Sequence, residues 1–275
     1  MEQKRKVLYE VLEPKSLEDM TWAEVAEIVA KTKLAIIPLG AVEQHGYHLP
    51  LLSDTLIALE IAKRVSLVLA EEGKSILVGP SIPFGVNPEA MAYPGSITIR
   101  PDTLKNLIKD VVVSLAAHGF SQFILLMGHD GNIPAMEVAV QELTTDHGFD
   151  VACVNWLVAS KDEQKRIVGV TGPDGHGGAG ETSRVLAICP NLVHQDKAIP
   201  YIPKSSGSDP VPYSGSPVIG GGVYHPLKNS RFGQSPPKFP GQIGDPRLGS
   251  AQAGEKIYQM LSNWLAAVIK QEFFS

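Results

Sequence analysis

The stretch "LAIIPLGAVEQHGYHLPLLSDT", Leu34 to Thr55, changes texture in the middle, and that change decides the fold. Its opening, LAIIPLG, is an apolar run rich in β-branched side chains and closed by glycine. Such a run reads as a buried strand ending near Gly40. Polar residues follow at once: Glu43, His45 and then Asp54 in Ser53-Asp54-Thr55, where a helix is expected to begin. Glu43 and His45 occupy alternate positions, so an extended backbone points both side chains the same way. Carboxylate, imidazole and carboxylate are zinc or manganese ligand types. A plainer reading makes this a polar loop whose Asp54 caps the helix, so the remaining sequence must decide.

The same alternation runs outward in both directions. Upstream, Thr21-Trp22-Ala23-Glu24 is a capping-box pattern opening an amphipathic helix, TWAEVAEIVAKT. Downstream, a helix from about Asp54 to Glu72 leads to a second strand, ILVGP. The helix PDTLKNLIKDVVVSLAAHG carries proline at its start and Gly119 as its stop. FSQFILLMG is a third buried strand, NIPAMEVAVQELTTDHG a further helix and VACVNW a fourth strand. GETSRVLAIC begins another helix, and AQAGEKIYQMLSNWLAAVIKQ forms the last one. Strands and helices at βαβ spacing imply an α/β fold with a mostly parallel sheet covered on both faces. A Gly-, Pro- and Ser-dense stretch from about 190 to 249 reads as a substrate-side or subunit-interface loop within a single domain spanning 1–275.

Bulk properties exclude several classes. The formal net charge of −5 leaves no basic footprint for nucleic acid. No apolar run has membrane-spanning length, and MEQKRKVLYEVLEP lacks the apolar stretch of a signal peptide. Cys153 and Cys189 sit in apolar contexts and read as reduced, buried thiols. The expectation is a cytoplasmic protein with a small-molecule substrate.

The polar clusters fall at strand ends. Glu43 and His45 follow the first strand, and His129, in GHDGN, follows the third. The fourth leads to DGHGGAGETS, which holds His176 and Glu181. Chemistry in open parallel sheets collects outside the carboxyl ends of the strands, so these clusters should converge. Glycines around them suit close backbone approach. Phosphate binding by glycine loops is the rival, which would make the chain a non-catalytic α/β protein holding a phosphorylated metabolite. It is weak, because neither loop has the lysine and hydroxyl of a P-loop or the GxGxxG pattern.

Taken in order, "PLGAVEQHGYHLPLLSDT", "GHDGN", "GHGGAGETS" and "GDPRLGSAQAGEK" resemble successive signatures of the creatininase (creatinine amidohydrolase) family, from about Leu34 to Lys256. The resemblance implies a three-layer α/β/α fold, a two-metal site, hydrolysis of amide-like C–N bonds by metal-activated water, and a homohexamer. By position, Glu43, Asp54 and His129 would hold one divalent ion and His45 the second, with Asp54 bridging. Glu181 would supply a further carboxylate, and His176 falls on the histidine used for proton transfer. Zinc is expected, with manganese or iron also suited to mixed nitrogen and oxygen ligands. The same activated water would serve a sugar-like cyclic ketone or lactone, which is the alternative substrate class.

The sequence departs from creatininases where substrate is bound. The tyrosine and metal-binding glutamate that follow the His129 position are here Asp130 and Gly131. The tryptophan preceding the catalytic histidine has no counterpart in Val170-Thr171-Gly172-Pro173-Asp174, although Trp156 offers either an aromatic wall or packed core. Creatinine is therefore not the expected substrate. His48 reads equally as a ligand's partner or a loop-surface residue, and Asp130 and Asp174 as groups that steer substrate or bond a ligand histidine. His118, His147 and His194 are given no chemistry, and His225 is a candidate to enter the site from the long loop.

Overall fold

Six consecutive residues, Leu34–Leu39, are all buried and form β1, the strand expected from LAIIPL. In the computed structural model, which describes residues 13–202, 213–214, 223–224 and 240–274, three further strands share the sheet with β1. They are β2 (Leu77–Val78), β3 (Gln122–Met127) and β4 (Asp150–Val154). The sheet order is β2-β1-β3-β4 and every pairing is parallel. β1 and β3 pair along their full length, Leu34 with Gln122 through Leu39 with Met127.

Helices α1 (Trp22–Val29), α2 (Ser53–Glu71), α3 (Pro101–Ala117) and α4 (Ile133–His147) begin within a residue or so of where the sequence pattern starts them. Thr21 and Glu24 form the expected capping box. The chain steps from β1 through α2 to β2, then reverses through α3 and α4 to β3 and β4 on the other side. Right-handed crossovers therefore put α2 on one face and α3 with α4 on the other. The packing agrees: α3 lies against α4, while α2 lies against the C-terminal helix α7 (Ala251–Phe273). The reversal falls between β1 and β3, and their carboxyl ends form a switch-point crevice.

One element departs from expectation. VACVNW does not remain extended to Trp156; β4 ends at Val154 and α5 (Trp156–Val168) begins, followed by α6 (Ala179–Ile188). Asn155 caps α5 by accepting from the Val158 amide, and Gly169 closes it at φ 79°. Trp156 is 3% exposed and its indole N–H donates to the Met127 carbonyl, so it packs in the core and forms no aromatic wall.

The fourth motif acts as a packing device. A Cβ on Gly254 would lie 2.0 Å from the Ser183 carbonyl oxygen, so only glycine lets α7 cross α6 this closely. Ser250 caps α7, and its own amide donates to Ser183 Oγ at 3.0 Å. Of the 190–249 stretch, the two-residue strands β5 (Tyr213–Ser214) and β6 (Val223–Tyr224) pair in parallel. His225 lies outside the described residues.

Candidate metal centre

Two glycines at the two strand ends create the site. A Cβ on Gly40 would sit 2.1 Å from Thr55 Oγ1, and one on Gly128 would sit 2.7 Å from the Asp54 carbonyl oxygen. Without side chains there, the first turn of α2 drops into the crevice between β1 and β3. Asp54 is thereby carried inside, 3% exposed, as a first-turn residue rather than a cap; Leu52 holds the cap position.

All six candidates named from the sequence meet here. Three sets of donor atoms lie close enough to hold an ion: Glu43, Asp54 and His129; His45, Asp54 and Glu181; and Glu43, His45 and His176. Asp54 belongs to two of them, with Oδ2 3.2 Å from His129 Nδ1 and Oδ1 3.0 Å from His45 Nε2. Glu43 Oε2 lies 3.0 Å from His129 Nδ1, and Glu181 Oε2 lies 3.8 Å from His45 Nε2. Glu43, His45, Asp54 and His129 are all buried. The side chains of His176 and Glu181 keep 17% and 18% exposure, so the group opens toward solvent on their side.

The histidine tautomers are fixed from behind. His45 Nδ1 is 2.9 Å from the Glu43 carbonyl oxygen, and His129 Nε2 is 3.1 Å from that of Val86. Each of those nitrogens carries a proton and donates it to the carbonyl, which turns the opposite nitrogen toward two carboxylates. A neutral ring would then present a lone pair to anionic oxygens, which is repulsive. Either a cation or a second proton must intervene. Burial alone disfavours the imidazolium, but the Asp54 carboxylate outweighs it and pushes His45 up to about 10. His129 is likewise raised well above its ordinary value, against burial, by Glu43 and Asp54. Glu43 falls to about 2 because His176 and His129 overcome its burial. Glu43 Oε2 and Asp54 Oδ2 nevertheless accept no aligned hydrogen bond. Buried carboxylate oxygens that meet back-bonded imidazoles without an aligned hydrogen bond are the donor set of a divalent cation, and the residues fit one.

His176 is held differently. Its ring lies 4.4 Å from that of His45, and Nε2 is 3.6 Å from Glu43 Oε1. The same nitrogen lies 2.5 Å from the Gln44 backbone oxygen and 2.9 Å from the Gln44 side-chain nitrogen. When protonated it donates to the carbonyl; when deprotonated it accepts from the amide. Nε2 thus has a partner in either state. Glu181 Oε2 accepts from the Gly177 amide, and Gly177 takes φ 61° to present it.

Several supporting residues were not legible in sequence. Gln44 is buried, and besides meeting His176 it donates to the Gly241 carbonyl at 3.2 Å. His48 is 1% exposed, far from a loop surface, and its Nε2 meets Thr182 Oγ1 at 2.9 Å. Burial first, and the neighbouring His45 charge second, lower it to about 4. Asp174 bonds no histidine; its oxygens accept from the Ala179 and Gly180 amides and cap α6. Asp130 stands in a short 3-10 turn after His129. His118 and His147 end α3 and α4, and His147 stacks on Phe149 at 5.3 Å.

A parallel sheet with its switch-point crevice lined by carboxylates and back-bonded imidazoles defines a metal-dependent hydrolase. The chain belongs to the creatininase (creatinine amidohydrolase) family, whose model matches residues 18–269. It is 28% identical over 272 residues to creatinine amidohydrolase of Pseudomonas putida, covering 93% of this chain and 96% of that protein. It is 29% identical over 239 residues to mycofactocin precursor peptide peptidase of Mycolicibacterium smegmatis, covering 86% and 85% respectively. A solved manganese creatininase superposes with a TM-score of 0.72 at 26% identity, covering 94% of this chain and 99% of that one.

Proposed function

We propose that this chain hydrolyses a C–N bond in a small, non-creatinine amide or formamide, using two divalent ions shared by Asp54. Glu43 and His129 hold the first ion, and His45 with Glu181 the second. The observation that carries the reading is the pair of back-bonded histidines, each aiming its free nitrogen at two carboxylate oxygens. Bound divalent ions would acidify a water and polarise a carbonyl. Zinc is the expected metal, with manganese or iron acceptable to the same donors.

The protein's own groups do the rest. Asp54 would contribute an oxygen to each position. Glu43 serves twice, with its carboxylate on the first position and its carbonyl orienting His45. His176 moves the proton, since Nε2 has a partner with and without it and the ring stays partly exposed. A departing nitrogen cannot leave easily as an anion, so a positioned acid is needed.

Substrate choice follows from position 131. A Cβ there would lie 2.3 Å from the Val86 oxygen and 2.5 Å from His129 Nε2, so the site admits no side chain in place of Gly131. With Trp156 in the core and no carboxylate at 131, the means of enclosing creatinine are missing. Zinc-loaded protein assayed against creatinine, formamides and short peptides tests this. Turnover of creatinine as the best substrate overturns it.

On this reading the chain is one hydrolase domain acting in the cytoplasm, as its free Cys153 and Cys189 suit. It would assemble as a homo-oligomer, a hexamer on the family pattern. Exposed Tyr47, Phe84, Met91 and Ile97 give the loops an apolar surface to bury.

A further inference from the structure

Arg184 is a cation with no route to water. It lies on α6, is 3% exposed, and stands 5.0 Å over the ring of Trp156. One of its Nη atoms donates to Gln164 Oε1, and the other lies 3.7 Å from Glu181 Oε1. Gln164 is itself buried and donates to Ser160 Oγ at 2.7 Å, which donates to the Trp156 carbonyl at 2.6 Å. The Trp156 indole N–H meets the carbonyl of Met127, two positions before His129. A buried chain therefore runs from the strand end beside His129, through α5, to the outer oxygen of Glu181.

We infer that Arg184 is a positioning residue for the second metal: it holds Glu181 Oε1 outward so that only Oε2 faces His45 and Asp54. This rests on the two-ion reading above. Glu181 is partly exposed; the Gly177 amide holds its Oε2, and Oε1 is the end left for Arg184, one helical turn on. With Oε2 held by Gly177, Arg184 fixes the plane of the carboxylate from the Oε1 side, because a buried guanidinium lies best against an anion and its planar fork fits Gln164 and Glu181 together. The cation also repels the metal, but the carboxylate stands between them, so orientation dominates. The first position, built by Glu43, Asp54 and His129, makes no contact with Arg184 and should be indifferent to it.

The test is zinc binding by full-length protein, measured by equilibrium dialysis with elemental analysis. Arg184→Met should weaken the second ion by about 10–100-fold and leave the first within about twofold, the usual effect of losing a ligand's hydrogen-bonding partner. Arg184→Lys keeps the charge but not the fork, and should stay closer to Met than to the parent. If Arg184→Met fails to fold, Gln164→Ala removes the anchor while keeping the cation and should weaken the second ion about tenfold. Combined with Glu181→Gln, the Arg184 effect should vanish, because no second carboxylate is left to orient. Equal loss at both positions, full recovery with lysine, unchanged binding, or an additive double variant would each overturn the inference. A parent protein that binds fewer than two ions would instead sink the two-ion reading on which it rests.

Discussion

The two halves of the centre are built on opposite principles. The half formed by Glu43, Asp54 and His129 is buried and anchored on the ends of β1 and β3 and the first turn of α2. The half formed by Glu181 and His176 is partly open, and it sits on a glycine-rich loop and the start of α6. The inner half is held from three sides, by the loop after β1, the first turn of α2 and the end of β3. The outer half depends on local contacts, namely the Gly177 amide and Arg184 on Glu181 and the Gln44 carbonyl on His176. Retention of the first ion should therefore belong to the inner half, and the second ion and turnover to the outer.

Asp54→Ala breaks that division most severely. It removes the residue assigned to both metal positions, so elemental analysis of the variant should find both emptied and turnover lost. Unchanged metal content would refute the shared-ligand assignment. His176→Ala comes next and should separate the two properties. Metal content and folding should hold while turnover falls about 10²–10⁴-fold, the usual worth of general acid–base help. Loss of metal would make His176 a ligand of the third donor set. Glu181→Gln should act on the outer half alone, weakening the second ion while the first stays bound. Dialysis that finds both ions equally affected would show that the halves are not independent.

What the sequence made legible follows the same line. LAIIPLG and FILLMG announced β1 and β3 because a strand buried on both faces needs an unbroken apolar run, and their polar followers had only one crevice to enter. Trp156 misled because an aromatic after VACVN continues a β pattern; the competing signal was Asn155, a good helix cap, four residues after Val151. Arg184 was not legible as a partner, and the sequence left His48 open between a ligand's partner and a loop-surface residue. His48 stands among loop residues that look solvated, and Arg184 follows Glu181 on a helix face whose covering by α5 is a tertiary fact. The loop between 190 and 249 was expected to border substrate or a subunit, and most of it lies outside the described residues.

The smallest expected effect concerns pH, and it tests whether protons stand in for the ions. In metal-free protein His45 is raised to about 10, by Asp54 against the cost of burial, from an ordinary value of 6.5. His129 is raised in the same direction by Glu43. A group that binds its proton more tightly when folded contributes stability that is full below about 6.5 and is lost as pH rises toward about 10. Urea unfolding of chelator-treated protein should therefore show a midpoint that declines steadily across that window. With zinc bound, the ions replace those protons, and the decline should flatten or reverse because ligands that must shed a proton bind metal better at higher pH. His48 does not interfere on this side, since it is lowered to about 4 and stays neutral in the folded protein throughout the window. Parallel curves for the metal-free and zinc-loaded proteins would mean that His45 and His129 do not exchange protons for metal, and the candidate centre would lose its main physical support.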